Sequence, residues 1–503
     1  MILLWRERMG CRVLRIFNQR SIKRAIFFGI VITTVYITWT VYTLMGCKTP
    51  FFENPEHDDI RHFQQQWCTM QGWRVDWETV VKPCVGKVAW DERKVNSEWR
   101  TDAYNSFIKK WDVQPAGHFS RFFIQSVTRD SVHKNFGGDA WRVYIRQGPA
   151  SLAPQVLDHD DGVYEVVFLV MEPGNYSAQI TLDFTLCDGL RDPPEDWIIQ
   201  GTNQAKHHKD GILGYIGDDY ILEPIGGQSV VAFYVPENTH NTQKYISVVK
   251  ASTCGITCNL LQNGFGRWVN GVWQPFIDNS PTTAEALDNP FTKADALCIY
   301  GDSIARYFFR SLISRGICER FFKKCIEAYM KINQQTYQTT PTNDFNKLVL
   351  QHMSEFLDSS DLSSNHSVFV FNLGVHFSIW LNFTTYKDLI DSVIRMLRSR
   401  FADEHNNKPI VIWKTTTSIE KEKTHPKNLT HWRFHTHQRL ELFHKYATNA
   451  MCKAGIPVLE VYPMTASYPN GTLDHVHYSA NAQRAAEDQL LSFIHEKLKN
   501  KPT

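Results

Sequence analysis

The segment ALCIYGDSIARYFFRSL, residues 296–312, decides the fold of the C-terminal half of this 503-residue chain. A short apolar run leads into Gly301, Asp302 and Ser303, and apolar residues at helical spacing follow. This pattern predicts a buried strand, a tight turn at Gly301 and a helix over 304–312. A serine at such a turn lies beside free backbone N–H groups that can stabilise an oxyanion. The alternative is an ordinary helix N-cap at Asp302 or Ser303.

Further strand and helix patterns alternate from here to the C-terminus. We predict strands at 367–371, 410–413 and 456–462. Apolar residues recur at helical spacing over 387–401, 438–454 and 481–498. Such alternation is typical of an α/β fold with a parallel sheet covered by helices on both faces. The active site of such a sheet lies beyond the carboxyl ends of its strands.

The region before this α/β part has a different pattern. Five apolar residues alternate with polar ones, which predicts a strand with one buried face: Tyr176, Ala178, Ile180, Leu182 and Phe184. An apolar run over 163–171 precedes them, and a Pro-Gly-Asn turn at 173–175 lies between the two strands. Two strands joined in this way predict an antiparallel β-sandwich.

The N-terminus combines a basic segment with an apolar one. Residues 1–24 contain seven Lys or Arg and one acidic residue, whereas residues 25–45 carry no charge and are mostly apolar. About 20 such residues span a bilayer as one helix, and the basic flank keeps the N-terminus in the cytosol. We therefore predict a type II signal anchor at 25–45, with the rest of the chain lumenal. The alternative is a cleaved signal peptide, which the length of the run disfavours.

Cysteines and glycosylation sites fit a secretory-pathway protein. Of eleven cysteines, Cys11 and Cys47 lie before or at the membrane edge, and nine lie beyond it, where most should pair. Because nine is odd, one of them is free or pairs with Cys47 or with a partner chain. Cys254 and Cys258 have the spacing of a zinc knuckle, but no second pair follows, so disulfides are favoured. Five sites match Asn-x-Ser/Thr: Asn175, Asn365, Asn382, Asn428 and Asn470.

A base for Ser303 is available near the C-terminus. A serine hydroxyl needs a base to attack at neutral pH, and Asp474 and His477 follow the last predicted strand in a loop. A separation of three residues lets the carboxylate turn back onto the imidazole and fix its tautomer, as in a Ser-His-Asp triad. His475 is an alternative base, and only the spacing favours His477. Asn372, directly after the strand at 367–371, is either a donor to the oxyanion or a turn residue.

Other classes of function are less well supported. The formal net charge is +2, but the first 24 residues contribute +6 and leave about −4 for the rest, which argues against a nucleic-acid partner. The Asp-His-Asp at 158–160 has the form of a glycosyltransferase metal site, but it precedes a strand, so we predict a turn. His431, His435 and His437 have metal-like spacing without a further ligand, and we predict a histidine-rich surface. We expect no bound metal or cofactor.

In chain order these blocks resemble the SGNH (GDSL-type) hydrolase superfamily: Gly-Asp-Ser at 301–303, an Asn-bearing block at 372 and Asp-x-x-His at 474–477. The finer resemblance is to its PC-esterase branch, through Arg306 after the Gly-Asp-Ser block and the Gly-Arg-Trp at 266–268. Upstream, residues 161–176 resemble filamin-type immunoglobulin-like repeats and neurexophilin-like modules. With its N-terminal anchor, the chain is identified as a member of the neurexophilin and PC-esterase domain family.

The resemblance implies a role for each matched residue. Ser303 is the nucleophile, His477 the base and Asp474 the orienting acid, while Asn372 and the amide of Ser303 stabilise the oxyanion. Arg306 either holds an anionic group or braces the loop. No match is found for the superfamily's separate glycine block between 310 and 365, which leaves the oxyanion hole incompletely assigned.

The resemblance also implies an organisation and an activity. The expected segments are a cytosolic tail at 1–24, the anchor at 25–45, a stem at 46–100, a neurexophilin-like sandwich at 101–260 and a PC-esterase domain at 265–503. The expected enzyme is a Golgi carbohydrate O-acetyltransferase or esterase that acts on glycoprotein glycans such as sialic acid, with transfer from acetyl-CoA favoured over hydrolysis. The alternative is a non-catalytic, secreted or cell-surface binding protein of the neurexophilin type.

Overall fold

The computed structural model describes residues 55–90, 97–194, 220–238, 254–255, 258, 264–277, 293–330, 342–401, 408–425 and 432–499. The predicted tail and anchor, residues 1–45, lie outside the described residues, as does Cys47. Of the helices that are described, none is long and apolar enough to cross a membrane. The chain divides into a unit of residues 1–62 and a larger unit of residues 63–503.

Two antiparallel sheets form the predicted sandwich. The strand order of the first is β1 (Phe107–Asp112), β2 (Phe119–Gln125), β5 (Val163–Leu169), β4 (Gln155–Asp158). In the second, the long strand β6 (Gly174–Phe184) pairs with the three others: β3 (Ala140–Gln147), β7 (Glu223–Pro224) and β8 (Val231–Val235). Their inner faces share one apolar core, which contains four of the five alternating residues predicted on β6. The fifth, Phe184, is buried outside this core, against Tyr220 and Arg433.

The turn between β5 and β6 joins the two sheets of the sandwich. The two strands belong to opposite sheets, because β5 pairs with β2 and β4, whereas β6 pairs with β3, β7 and β8. The Pro173-Gly174 turn therefore carries the chain across the sandwich rather than along one sheet. Gly174 has a φ of 140° there, a backbone conformation that side chains disfavour.

The C-terminal part is an α/β fold around a five-stranded parallel sheet, as predicted. Its strand order is β12 (Phe322–Tyr329), β11 (Ala294–Gly301), β13 (Val368–Phe371), β14 (Ile410–Lys414), β15 (Val458–Leu459). Alternate residues of β11 and β13 enter two separate apolar cores, one on each face of the sheet. A two-stranded hairpin, β9 (Gly266–Val269) and β10 (Val272–Pro275), precedes the sheet.

Helices cover both faces of this sheet. They are α3 (Ser303–Ser314), α4 (Ile317–Phe321), α5 (Thr342–Leu357), α6 (Phe377–Trp380), α7 (Phe383–Arg400), α8 (His437–Lys453), α9 (Tyr462–Ala466) and α10 (Ala480–Lys499). The strand predicted over 456–462 is shorter than expected, because only Val458 and Leu459 pair with β14 before α9 begins.

Part of the segment predicted as a stem packs onto the α/β region. It forms helix α1 (Pro55–Trp73) and helix α2 (Trp77–Val81). The ring of Trp77 lies 5.5 Å from the rings of both Phe383 and Tyr446. Within the larger unit, Trp77 therefore packs against helices α7 and α8, while the predicted bounds of the stem stay a prediction.

Eight of the nine cysteines beyond the predicted anchor form disulfides, as their number suggested. The pairs are Cys68–Cys254, Cys84–Cys187, Cys258–Cys452 and Cys318–Cys325. The ninth, Cys298, is free and fully buried in β11, so its sulfur cannot reach a partner chain in the folded protein.

The strand order places a topological switch point between β11 and β13. The chain leaves β11 towards β12 on one side and later returns to β13 on the other. In open parallel sheets, ligands bind in the crevice beyond the carboxyl ends of the strands at such a point. Ser303 follows β11 and Asn372 follows β13, so both lie at this position.

Candidate active site

Asp302 and Ser303 have different partners at the start of helix α3. The carboxylate of Asp302 caps the helix by accepting a hydrogen bond from the backbone N–H of Ile304, 2.9 Å away. This leaves the hydroxyl of Ser303, the first helical residue, available for another contact. Gly301 permits the tight approach, since a Cβ there would lie 3.0 Å from the carbonyl oxygen of Asn372.

Ser303, His477 and Asp474 form one hydrogen-bonded array. The Nε2 atom of His477 lies 2.9 Å from the Oγ of Ser303, and its Nδ1 atom lies 2.8 Å from Oδ2 of Asp474. The residues come from helix α3 and from the loop between α9 and α10, 174 positions apart in sequence. This is the connectivity in which a carboxylate orients an imidazole and the imidazole takes the proton of a serine.

Local contacts hold the acid and the base of this array in place. Oδ1 of Asp474 accepts the backbone N–H groups of Val476 and His477 at 2.7 and 2.8 Å. Partial burial raises the pKa of Asp474, but the hydrogen bonds from His477 and the backbone outweigh it and leave the pKa below its ordinary value. The ring of Tyr307, one turn along α3, stacks on the imidazole of His477 at 4.5 Å.

His475, the alternative base, is directed elsewhere. Its ring lies 4.7 Å from that of Trp432 and 5.8 Å from that of His435. Burial lowers the pKa of His475. The contact to Ser303 is thus made by His477, as the spacing suggested, while the catalytic roles of the array stay a prediction.

Asn372 lies at the sheet edge beside this array. Its side-chain Nδ2 donates to the carbonyl oxygen of Lys414, 2.8 Å away, and its backbone N–H donates to Tyr300. One N–H of the amide is therefore used between β13 and β14, and the role of Asn372 as a donor to the oxyanion stays a prediction. The amide of Asn372 is almost completely buried, which fixes its orientation.

Arg306 braces the turn through contacts with β12. Its Nε lies 2.6 Å from Oε1 of Glu327, and its guanidinium lies 3.7 Å above the ring of Tyr329. Of the two roles left open by the sequence, these contacts favour bracing. The prediction that Arg306 binds an anionic group is not tested by them.

A buried polar cluster behind Ser303 was not predicted. It contains Asp302, Asn372, His376 and Lys414, all at strand ends of the parallel sheet or just after them. In the part of the chain that the structure describes, one side-chain atom of each has no hydrogen-bond partner: Oδ2, Oδ1, Nδ1 and Nζ, respectively. Burial lowers the pKa of Lys414 to about 8, although the charge of Asp302 opposes this. The available sequence signal was a lysine directly after the apolar strand at 410–413.

The predicted glycosylation sites differ in accessibility. Asn175 and Asn470 are exposed, whereas Asn365 and Asn382 are half-buried, and Asn382 caps helix α7. Asn428 lies outside the described residues. The exposed pair are therefore the better acceptors for a bulky glycan.

The alternative metal motifs form structural contacts instead. Asp158 accepts the backbone N–H groups of Gly138 and Asp160 at 2.7 and 2.8 Å, which is the predicted turn. The prediction of a histidine-rich surface is wrong for His435, which is buried, and for His437, which lies 3.3 Å from the hydroxyl of Tyr144. Tyr144 of the sandwich covers His437, whereas the ring of His435 packs near those of Trp432 and His475. His431 lies outside the described residues. Across the described residues, no group of three or more His, Cys, Asp or Glu is arranged to hold a metal ion.

These features define an α/β fold with a hydrogen-bonded Ser-His-Asp array at the switch point of a parallel sheet, joined to a β-sandwich. No family model matches the chain. Among solved structures it is similar to LAE5, an alpha/beta hydrolase enzyme from the metagenome of Lake Arreo, Spain, at 13% identity over 40% of this chain and 96% of that chain, with a TM-score of 0.26. It is also similar to a Bacillus subtilis protein at 9% identity, over 82% of this chain and 96% of that chain, with a TM-score of 0.23. The Lin-41 filamin domain matches 16% of this chain and 80% of its own length at 11% identity, with a TM-score of 0.15.

Proposed function

We propose that this protein is a carbohydrate O-acetyltransferase or esterase that uses Ser303, His477 and Asp474 by way of an acyl-enzyme. The observation that carries the proposal is the continuous array from Asp474 Oδ2 through His477 to Ser303 Oγ, with both links under 3 Å. A serine that only caps a helix needs neither an imidazole nor a carboxylate behind it. The resemblance to the neurexophilin and PC-esterase domain family supports an acetyl group as the acyl group and glycoprotein glycans such as sialic acid as its acceptors.

The array accounts for each proton in the proposed reaction. Ser303 Oγ attacks the acyl carbonyl while Nε2 of His477 takes the hydroxyl proton, and Asp474 stabilises the imidazolium. In the proposed reaction the backbone N–H of Ser303 and the second side-chain N–H of Asn372 stabilise the oxyanion. Collapse breaks the bond to the leaving group, which receives the proton from His477. A sugar hydroxyl or water then gives its proton to His477 and takes the acyl group from Ser303, and His477 returns that proton to Ser303 Oγ as the acyl–oxygen bond breaks.

We propose transfer from acetyl-CoA, with hydrolysis as the competing outcome. If the donor is acetyl-CoA, the leaving group is the CoA thiol and the product is an O-acetylated sugar. The predicted anchor at 25–45 would place the reaction at the lumenal face of the Golgi membrane. Nothing in the proposed chemistry requires a bound metal or prosthetic group, because the serine, the base and the oxyanion donors all come from the chain.

The test compares the purified full-length protein with its Ser303→Ala and His477→Ala variants. We expect acetyl transfer to a sialylated glycoprotein, or release of acetate from an acetylated one, to fall about 10³-fold or more in both. A fluorophosphonate probe should label Ser303 in the wild type and lose this labelling in His477→Ala. Ser314→Ala is a matched control, because its hydroxyl donates within the same helix to Ser311 at 2.8 Å.

Equal activity in wild type and Ser303→Ala would exclude the serine mechanism. Absence of both labelling and turnover in the wild type would favour the alternative, a non-catalytic binding protein of the neurexophilin type.

A further inference from the structure

Strand β3 of the sandwich has two buried faces that differ in character. Its inward residues, Trp141, Val143 and Ile145, belong to the sandwich core. The alternate residues, Arg142 and Tyr144, face the α/β region, and they are followed on the same side by Arg146. An outward strand face is normally solvated, so a buried Arg-Tyr-Arg row indicates that another part of the protein covers it.

Each residue of this row contacts the α/β region. Arg142 donates to Glu422 at 2.7 Å and also pairs with Asp183 of its own sandwich. Tyr144 lies 3.3 Å from His437. Arg146 forms an ion pair with Glu420 and donates to a carbonyl oxygen in helix α9, that of Ala466, at 3.1 Å.

Glu420 links the sandwich to the loop that carries the acid and the base. Its side chain is 1% exposed. While Oε1 faces Arg146, Oε2 accepts the backbone N–H of Thr472 at 3.0 Å and lies 2.9 Å from the Thr472 hydroxyl. The backbone N–H of Glu420 donates to the carbonyl oxygen of His475 at 2.9 Å. One buried residue therefore holds both ends of the segment around Asp474, Thr472 through its carboxylate and His475 through its backbone N–H.

The link continues to the array within a few residues. The hydroxyl of Thr472 also lies 2.5 Å from the carbonyl oxygen of Asp474, so its single proton serves either that carbonyl or Glu420. The N–H of Leu473 donates to the carbonyl oxygen of His477 at 2.6 Å, which closes the loop. A Cβ at the preceding Gly471 would lie 2.3 Å from Oε1 of Glu420, so this position requires glycine for the approach.

The charge of Glu420 is retained over the working pH range of most enzymes. Burial raises its pKa, but the charge of Arg146 and hydrogen bonds from Lys423, Thr472 and Arg146 outweigh burial and bring the pKa to about 2. Without Arg146, the carboxylate of Glu420 would still be buried away from water but would lose the positive charge that mainly offsets this desolvation. The loop contacts made by Oε2 would then be weakened.

We propose that Arg146 and Glu420 are positioning residues, through which the β-sandwich holds the Asp474–His477 loop in register with Ser303. The inference rests on the proposed serine mechanism and adds a role for the sandwich that differs from substrate recognition. A displacement of about 1 Å in a catalytic group costs roughly 10²-fold in rate, so a loose loop is sufficient to lower activity strongly.

The experiment measures fluorophosphonate labelling of Ser303 in the full-length protein, separating the rate constant from the final stoichiometry. We expect Arg146→Met and Glu420→Gln each to lower the rate constant about 10- to 100-fold with unchanged stoichiometry, and Arg146→Lys to be intermediate. The effects should be less than additive in the double variant, because both changes break one link. Loss of folded protein would instead lower the stoichiometry.

Glu422→Gln is the matched control. Glu422, two residues after Glu420, accepts a hydrogen bond from Arg142 of the sandwich across the same interface. It has no described contact with residues 472–475. We expect Glu422→Gln to be labelled at a rate within about twofold of wild type, because Glu422 has no described contact with the loop that carries Asp474 and His477. Thr472→Val serves as a second variant in case Glu420→Gln does not fold. It removes only the hydroxyl of Thr472 that contacts Glu420 and Asp474, and it should also slow labelling of Ser303.

In steady-state acetyl transfer, the positioning variants should lower kcat and leave the KM for the glycan unchanged. A raised KM with unchanged kcat would overturn the inference and assign substrate recognition to this face of the sandwich. Labelling of Arg146→Met and Glu420→Gln at the wild-type rate would also overturn it. Failure of the wild type to label at Ser303 would instead refute the proposed function on which the inference rests.

Discussion

Replacing Asp474 by Asn tests the array at the atom that orients the base. The carbonyl oxygen of Asn can still accept the backbone N–H groups of Val476 and His477, which Oδ1 now accepts at 2.7 and 2.8 Å. The loop should therefore keep its shape. The other oxygen, 2.8 Å from Nδ1 of His477, becomes an NH2 group that cannot accept. The imidazole then favours the tautomer with its proton on Nε2, facing Ser303, and cannot act as a base.

The size of the effect follows from the exposure of Asp474. A hydrogen bond to a charged group contributes about 1.5–3 kcal/mol, which alone is about 10- to 150-fold in rate. The unfavourable tautomer of His477 lowers the rate further, and in a fully buried triad the same Asp-to-Asn change lowers kcat about 10⁴-fold. The side chain of Asp474 is 51% exposed, so water replaces part of the lost stabilisation. We therefore expect a decrease of about 10²- to 10³-fold.

The assay is the second-order rate constant for phosphonate labelling of Ser303, with the urea unfolding midpoint measured in parallel. Asp391→Asn is the control, since that carboxylate accepts only the hydroxyl of Tyr446, 2.8 Å away, among the described hydrogen bonds outside its own helix. Labelling of Asp474→Asn within about threefold of wild type would refute the orienting role. Loss of labelling in His475→Gln but not in His477→Ala would move the base to His475.

Three further changes test the packing around the site by urea unfolding. Lys414→Met should stabilise the protein by about 3 kcal/mol at pH 7, because the pKa of Lys414 is lowered from 10.5 to about 8 and the unfolded state therefore binds the proton more tightly. This gain in stability should vanish as the pH rises from 8 to 10.5, and a difference that does not depend on pH would contradict it. Gly301→Ala should destabilise by about 1–3 kcal/mol, since its Cβ would lie 2.8 Å from the nearest side-chain carbon, whereas Gly72→Ala, with nothing within 4 Å, should be neutral or stabilising. Arg439→Met should cost about 3–5 kcal/mol, because it leaves the buried carboxylate of Asp192 without its ion pair at 2.6 Å, and a loss below 1 kcal/mol would contradict this.

The strand-turn-helix around Ser303 could be predicted because its signals are local. Strand β11 and helix α3 extend the predicted 296–300 and 304–312 by only a few residues. Apolar periodicity determines both elements, and each end is fixed by a residue with a clear preference, Gly301 for the turn and Asp302 for the cap. The contact of Ser303 with His477 is not local, and only the order of the motifs and the parallel sheet made it predictable.

Strand β12 was missed because it lies at the edge of the sheet. Its sequence places Lys323 and Lys324 side by side, and both are exposed, since the strand pairs only with β11. Edge strands commonly carry charged residues that prevent pairing with other chains. Such a strand has neither the apolar run of a central parallel strand nor a regular alternation. A disulfide between Cys318 and Cys325 secures it to the preceding helix.

The interface between the sandwich and the α/β region was also missed, although its signal is present. Residues 140–147 read AWRVYIRQ, in which an apolar row alternates with Arg142, Tyr144 and Arg146. Alternation alone predicts a solvated outer face, because charged residues are most often exposed. Only the acidic partners, which are distant in sequence, convert that row into an interface. Pairing at such separations is a property of the folded chain rather than of any local pattern.

The loop that carries Asp474 and His477 has few contacts with the parallel sheet, so the interface with the sandwich supports it. The loop with Asp474 and His477 follows β15, which pairs with β14 through only two residues, Val458 and Leu459. Ser303 follows strand β11, which pairs with β12 on one side and β13 on the other. Asp474 and His477 instead lie beyond the short strand β15, which pairs with β14 alone among the described strands. The sandwich and the hairpin supply the missing contacts: Ser151 donates to Ser467 at 2.5 Å, Trp268 donates to Met464 at 2.8 Å, and Arg146 holds Glu420. In the proposed mechanism the parallel sheet therefore positions Ser303 and the sandwich positions His477, so removal of the sandwich should disable the array even where the α/β region folds.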